Sequence, residues 1–344
     1  MHLTLYIPGL FGPKARFSNE YLPAVPTLNR LLSRGKILSA TERSFHFTLA
    51  RLFGCAPPPG QDVPVAAVTH QLDAAGVGQG TWMRADPVYL RADRRSVILL
   101  DAETVRLETR DALALAAEVK PLLESQGHQL EVPCPERWYL RMQSAPQIST
   151  TELEQVVGRD IASAMPAGPD SASWRRLLNE IQMVLHQSPV NIDRESRGLA
   201  PINSLWFWGC GSTPTPDARR WATIHGADLF LRGLAEIGGT ACLPIPSGAN
   251  ECLANAERED RVLVVMESCR RAAAHQEVEI WNAAVRELEQ RWFLPLAKAL
   301  QIGAVRSLSL ITDGLEMEIA PLSLFCFWRR GRTLAQLAPG VTTV

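Results

Sequence analysis

The chain has 344 residues, of which 46% are apolar and 21% charged, and its formal net charge is −1. This is a globular profile, long enough for two domains or for one large core with an insertion, and it gives no reason to expect nucleic acid or an anionic membrane as partner. No apolar run reaches the roughly 18 residues of a membrane span, and residues 1–12 lack a basic segment and are broken by Pro8, so a signal peptide is not expected.

Of the 35 basic residues only Lys14, Lys36, Lys120 and Lys298 are lysines. Such an arginine excess suits planar recognition of carboxylate and phosphate, and GC-rich coding explains it equally well. The seven cysteines (Cys55, Cys134, Cys210, Cys242, Cys252, Cys269 and Cys326) are scattered, with no C-x-x-C pair. That argues against a structural zinc site or a disulfide framework and fits a reducing, cytoplasmic setting.

Residues 3–7 read as a short apolar strand, broken by Pro8-Gly9. Residues 26–34 show helical spacing through Leu28, Leu31 and Leu32, with Gly35 placed as a C′ glycine. Residues 46–53 read as a second helix stopped by Gly54, and residues 63–75 as a third closed by Gly76. From about 80 to 169 the texture changes. A strand over 97–100, an Ala/Leu-rich helix over 111–124 and sheet segments over 130–132 and 138–142 form an α+β block between glycine- and proline-rich borders. Residues 165–170 read as a return linker. Helical patterning resumes over 171–185, followed by an apolar strand over 204–208. The continuous apolar strand over 262–266 is the kind covered on both faces in a parallel sheet. The longest helix is expected over 277–300, with Trp281, Val285, Leu288, Trp292 and Leu296 on one side. A last strand over 308–311 ends at Asp313-Gly314. Strands alternating with helices imply a mostly parallel, layered sheet.

Ligands of such sheets gather beyond the carboxyl ends of the strands. The polar residues there are Pro8-Gly9, residues 209–212, Glu267 and Asp313, and Asp313-Gly314 also reads as a plain turn pair. The densest polar segment, 185–211, places His186, Asn191, Arg194, Arg197 and Asn203 just before two tryptophans. Amides and guanidinium forks beside aromatic walls suit a small anion. The same residues equally describe an ordered loop whose amides satisfy backbone groups, with Trp206 and Trp208 in the core. No G-x-S-x-G, Walker-type loop, H-E-x-x-H or dinucleotide fingerprint is present.

The pattern P-V-N-x-x-R-x-x-x-G-x-x-P-x-N-x-x-W-x-W-G-x-G at 189–211 resembles the signature region of the archaeal-type cofactor-independent (2,3-bisphosphoglycerate-independent) phosphoglycerate mutases. Those belong to the alkaline phosphatase superfamily. Further likeness lies in V-P-T-L-N-R-L-L at 25–32, L-F-G at 52–54, residues 82–84 and 102–109, and the run from His225-Gly226-Ala227 to Gly238-Gly239. A proteobacterial branch called regulatory protein, RpfE type, is nearer still in overall pattern. The resemblance implies an α/β fold with an alkaline-phosphatase-like layered, mostly parallel sheet flanked by helices. A smaller α+β domain over 81–170 is inserted into a core formed by 1–80 and 171–344.

Enzymes of the family hold two divalent metals through Asp and His and carry a serine nucleophile. Here Pro8-Gly9 stands where the family has an Asp-Gly ligand turn. The nucleophile position falls on Phe45, with Ser44 one step away. The H-x-x-x-x-D-x-x-x-H run maps to Met266, Arg271 and His275, so Arg271 puts a positive charge where a cation would sit. The family's Asp-His pair becomes Asp313-Gly314, and its last histidine has no counterpart in 315–330. His275 and Asp313 are thus remnant ligands, too few for a binuclear centre.

The expected protein is a metal-free, catalytically degenerate relative that needs no cofactor. Its anion pocket is expected at Arg84, Asn191, Arg194 and Arg197, taking a small phosphorylated or carboxylate metabolite. The alternative is an active phosphoglycerate mutase or phosphoesterase using Mn, Mg or Zn at a rearranged site around Ser44, His275 and Asp313. A third reading is a regulatory module that binds a protein partner.

Overall fold

The computed structural model describes the chain outside residues 14–16, 19–21, 40–43, 75–79, 256–259, 313, 326–331, 338–340 and 343–344. The chain divides into two compact units, one formed by Met1–Gly54 with Pro216–Val344 and the other by Cys55–Thr215. The second unit is therefore wider than the expected 81–170 insert. The helix Val65–Asp73 and the strand Ser204–Ser212 belong to it because both attach to the long strand Thr81–Asp93, one by packing and one by pairing.

The first unit is built on a seven-stranded sheet ordered Cys242–Leu243, Thr223–His225, Arg261–Val265, His2–Tyr6, Ser307–Thr312, Leu315–Ile319, Lys36–Ser39. Neighbours are parallel as far as Ser307–Thr312, and the last two strands add on antiparallel. The two strands read from the sequence as continuous apolar runs lie side by side at its centre. Leu3 pairs with Val262 and Leu5 with Val264, and all four are buried. Helices cover such strands on both faces, which is why the pattern is unbroken rather than alternating. The fold is α/β, a mostly parallel sheet flanked by helices.

The helix Pro26–Arg34 matches its expected span, but not its expected ending. Gly35 lies at φ −63°, outside the left-handed region. Its need for glycine is steric, since a Cβ there would come within 2.9 Å of Met317 Sδ. The helix also starts without a side-chain cap of its own. A distant residue supplies it: Glu289 is buried, and its two carboxylate oxygens accept from the amides of Thr27 (2.7 Å) and Leu28 (2.9 Å). Two of the orphan donors of a helix start are satisfied this way, and negative charge is placed at the positive end of the dipole.

Glu289 lies where its own helix becomes irregular. The expected single helix is Val278–Leu288 and Leu294–Gln301 joined by a π-turn over Glu289–Phe293. Trp281, Val285, Leu288, Trp292 and Leu296 are all buried, as their spacing predicts.

The second unit carries a five-stranded antiparallel sheet. Thr81–Asp93 is its spine and pairs with Ser96–Asp101, Arg137–Met142 and Ser204–Ser212, while Gln129–Cys134 pairs with Arg137–Met142. The strand over 204–208 was expected at the ligand end of the main parallel sheet; it lies in this other sheet instead. Leu205 and Phe207 join the core beneath helices Thr109–Ser125 and Ser171–His186. Trp206 and Trp208 alternate to the other face, where their indoles donate to Thr151 O and Asp86 Oδ2. Both faces are buried, so the strand shows no polar alternation. The cysteines among the described residues are free thiols, and no helix there is long and apolar enough to cross a membrane.

Replacing Glu289 by Ala strips the start of Pro26–Arg34 of two acceptors in a buried place. It is expected to cost about 1–3 kcal/mol, read from the urea midpoint, with Glu289→Gln costing less.

Candidate functional site

The carboxyl ends of the central parallel strands bring together residues from four segments of the first unit. After His2–Tyr6 the chain turns through Pro8 and Gly9. Gly9 sits at φ +77°, and a Cβ on it would lie 2.6 Å from Cys269 O and 2.9 Å from Arg270 Cα. Only glycine lets the two backbones approach so closely. The turn is pinned from the far side as well, where Trp281 Nε1 donates to Gly9 O at 3.1 Å.

After Arg261–Val265 the chain delivers Met266 and then Glu267. One helical turn on, Arg270 opens the short helix Arg270–Ala274, and its Nη1 donates to Glu267 Oε2 at 2.7 Å. The Arg270 guanidinium lies 3.5 Å from the centre of the Phe45 ring, a cation–π contact, and Phe45 stacks on Tyr6. Phe45 is the first residue of the helix Phe45–Leu52. Its cap is Ser44, whose Oγ accepts from Phe47 N at 3.0 Å. His46 is buried with Phe45 and Phe230 edge-on to it, and Phe230 belongs to the helix Leu229–Ile237, capped by Asp228.

The titration of Glu267 is displaced upward. Burial pushes its carboxyl up to about 7, the Asp228 carboxylate adds to the rise, and His46 opposes it.

Ser44 is a helix cap, one step before the aromatic that stacks on Arg270. His275 is exposed at the end of Arg270–Ala274, and Asp313 lies outside the described residues. The Arg271 side chain is exposed, whereas its neighbour Arg270 is half-buried on Glu267.

The four residues expected to form an anion pocket lie in the second unit and are engaged there in structure. Arg194, with no exposed surface, gives Nε and Nη2 to Ala200 O, Nη2 also to Val105 O, and Nη1 to Asp111 Oδ2. Arg197 donates to the same Asp111 oxygen and pairs with Asp193. The Asn191 amide donates to Leu185 O and Ile202 O and accepts from Ile202 N. Arg84 is clamped by Asp86 between the faces of Tyr139 and Trp208. These contacts are the kind an ordered loop makes: Arg194 spends its hydrogen bonds on the Ala200 and Val105 carbonyls and the Asp111 carboxylate, and its side chain has no exposed surface.

Sequence reasoning singled out Glu267 as a strand-end polar residue but missed Arg270, His46 and Asp228. The i,i+3 spacing of Glu267 and Arg270 is a legible ion-pair signal. The convergence of His46 and Asp228 is a tertiary effect.

No family model matches the chain. It is similar to the 2,3-bisphosphoglycerate-independent phosphoglycerate mutase 2 of Methanothermobacter thermautotrophicus, 28% identical over 165 residues, covering 46% of this chain and 40% of that protein. It is also 24% identical over 205 residues to a probable 2,3-bisphosphoglycerate-independent phosphoglycerate mutase of Geobacter sulfurreducens, covering 55% of this chain and 50% of the relative. The chain thus spans about half the length, or less, of these homologues. Among solved structures, the PH0037 protein from Pyrococcus horikoshii shares the fold at a TM-score of 0.50 and 13% identity, over 93% of this chain and 87% of that one.

Among the described residues, the strand ends do not offer the ligand set that the two divalent metals implied by the resemblance would need. Where ligands are needed, Pro8 and Met266 offer no suitable donor, and Glu267 is already bonded to a fixed guanidinium. Among the described residues no three His, Cys, Asp or Glu side chains are grouped to hold a metal.

Two outcomes follow. Arg194→Ala leaves Asp111 buried with a lost partner and is expected to destabilise the fold by about 3–5 kcal/mol, seen as a lower urea midpoint. For Glu267, the folded carboxyl keeps its proton up to about 7 while the unfolded one ionises near 4.5. The folded state therefore holds more protons in between, and the Glu267 contribution to stability falls as pH rises across that window. Urea midpoints of wild type and Glu267→Gln, compared from pH 4.5 to 7.5, are expected to converge on the acid side and to separate in favour of the glutamine as pH rises.

Proposed function

We propose that this protein is a metal-free, catalytically degenerate homologue of the cofactor-independent phosphoglycerate mutases. On this reading it binds a small phosphorylated or carboxylate metabolite at the carboxyl end of its parallel sheet. The observation that carries the reading is the Arg270 guanidinium, held between the Glu267 carboxylate and the Phe45 ring at the strand ends. A fixed organic cation beside a helix N-terminus attracts an anion but supplies no Lewis acid to polarise a phosphoryl oxygen. The aromatic at Phe45 offers no nucleophile, and the neighbouring Ser44 hydroxyl is engaged in capping.

The homologues' shared name supports a phosphoglycerate-mutase-like ancestry for about half of the chain. A cytoplasmic location, the regulatory role borne in the name of the RpfE-type branch and a protein partner for the liganded form belong to the same proposal. The test is turnover of 3-phosphoglycerate by purified protein with and without added Mn²⁺. The expected result is saturable binding without turnover in either case. Metal-dependent turnover abolished by Asp313→Ala would overturn the reading in favour of an active enzyme.

A further inference from the structure

We infer that Trp221 and the two arginines resting on it form an oxyanion site at the amino end of the central strands, one that takes the phosphate group of a small molecule. The inference goes beyond the function proposed above and uses none of its residues. The frame comes from the main chain. Arg261 opens the strand Arg261–Val265, and its carbonyl accepts from Ala222 N at 2.9 Å, so parallel pairing seats it beside Trp221. Arg220 ends the 3₁₀ turn Ala218–Arg220, which is closed by Trp221 N donating to Ala218 O at 3.0 Å. Gly238 is pressed against that turn, since a Cβ on it would lie 2.3 Å from Ala218 Cβ. The five-residue strand that leads from Arg261 to the carboxyl edge is roughly 17 Å long, so this place is distinct from the one around Glu267.

Three features point to an anion there. The Arg220 and Arg261 guanidiniums lie 5.5 and 5.4 Å from the centre of the same indole ring, cation–π distances that gather two like charges at one patch. Among the described residues neither is paired with a carboxylate, so a bound anion removes a repulsion that the protein itself leaves standing. Trp221 is only 4% exposed, and its Nε1 is buried with no acceptor in the protein, although an indole N–H so placed is normally satisfied. Two guanidinium forks and an indole N–H offer more donors than the two oxygens of a carboxylate can use. A phosphate ester, with three free oxygens and a double negative charge, matches them. The ring also backs the planar forks, which limits the cost of ordering them on binding.

Inorganic phosphate at pH 8, where it is mainly dianionic, serves as probe on the intact chain, with chloride at equal ionic strength as reference. Calorimetry is expected to show saturable binding that Arg220→Gln and Arg261→Gln each weaken by roughly tenfold, the loss of a charge-assisted hydrogen bond. Since both side chains lack ion-pair partners, the double variant should unfold at the wild-type urea midpoint without phosphate, and phosphate should raise the midpoint of wild type alone. The Trp221 indole N–H resonance, assigned through Trp221→Phe, should shift downfield with the same affinity in wild type and in Arg270→Gln, and so reports this site by itself. Phosphate binding undiminished in the double variant, or an indole resonance that does not move, overturns the inference and leaves the proposed function standing. Binding lost in folded Arg270→Gln but kept in the double variant would put the anion at the carboxyl ends of the strands and overturn it likewise.

Discussion

The first unit depends on the close approach of two backbone turns at the carboxyl edge of the central strands. Gly9 lies so near Cys269 O and Arg270 Cα that any side chain there would force the turns apart. That approach sets where Arg270 begins its helix, hence where its guanidinium lands on Phe45 and which oxygen of Glu267 it reaches. The ion pair is a consequence of main-chain geometry fixed by a residue with no side chain. Trp281, from the helix beyond, locks the arrangement by donating to the carbonyl of the same glycine.

A second long-range constraint supports the first. The π-turn at Glu289–Phe293 directs Glu289 to the bare start of Pro26–Arg34. π-Turns often mark positions where a helix has been recruited to a specific task. Here the task is structural. Polar groups in both units are placed by tertiary geometry, and those of the second unit bridge its strands, helices and loop. Asn191 satisfies the nearby Leu185 and Ile202 carbonyls, whereas Arg194 also reaches Val105 and Asp111, and Asn203 reaches Leu90 on the long strand.

Much of the fold is legible from residue patterns. The continuous apolar runs at Leu3 and Val262 point to central parallel strands, and the spacing of Leu28, Leu31 and Leu32 to a helix packed by one face. The strand Thr81–Asp93 is less legible, because its polar Arg84 and Asp86 look like surface residues until Trp208 and Tyr139 are seen to cover them. The site is legible only in part. Glu267 stands out as a polar residue ending an apolar strand. Arg194 shows the converse: a conspicuous arginine in a polar loop reads as a ligand group, and its engagement with Ala200, Val105 and Asp111 is visible only in three dimensions. No local pattern carries the meeting of His46, Asp228 and Glu267, since they come from three separate segments.

On the proposed reading, the Arg270 guanidinium stands at the strand ends in place of a metal. Its most direct test is a titration of purified protein with Mn²⁺ followed by electron paramagnetic resonance of the free ion. Should Arg270 hold the site, free Mn²⁺ rises linearly from the first addition, with no stoichiometric break. A tight break at one or two ions per chain, abolished by Asp313→Ala, would contradict the account.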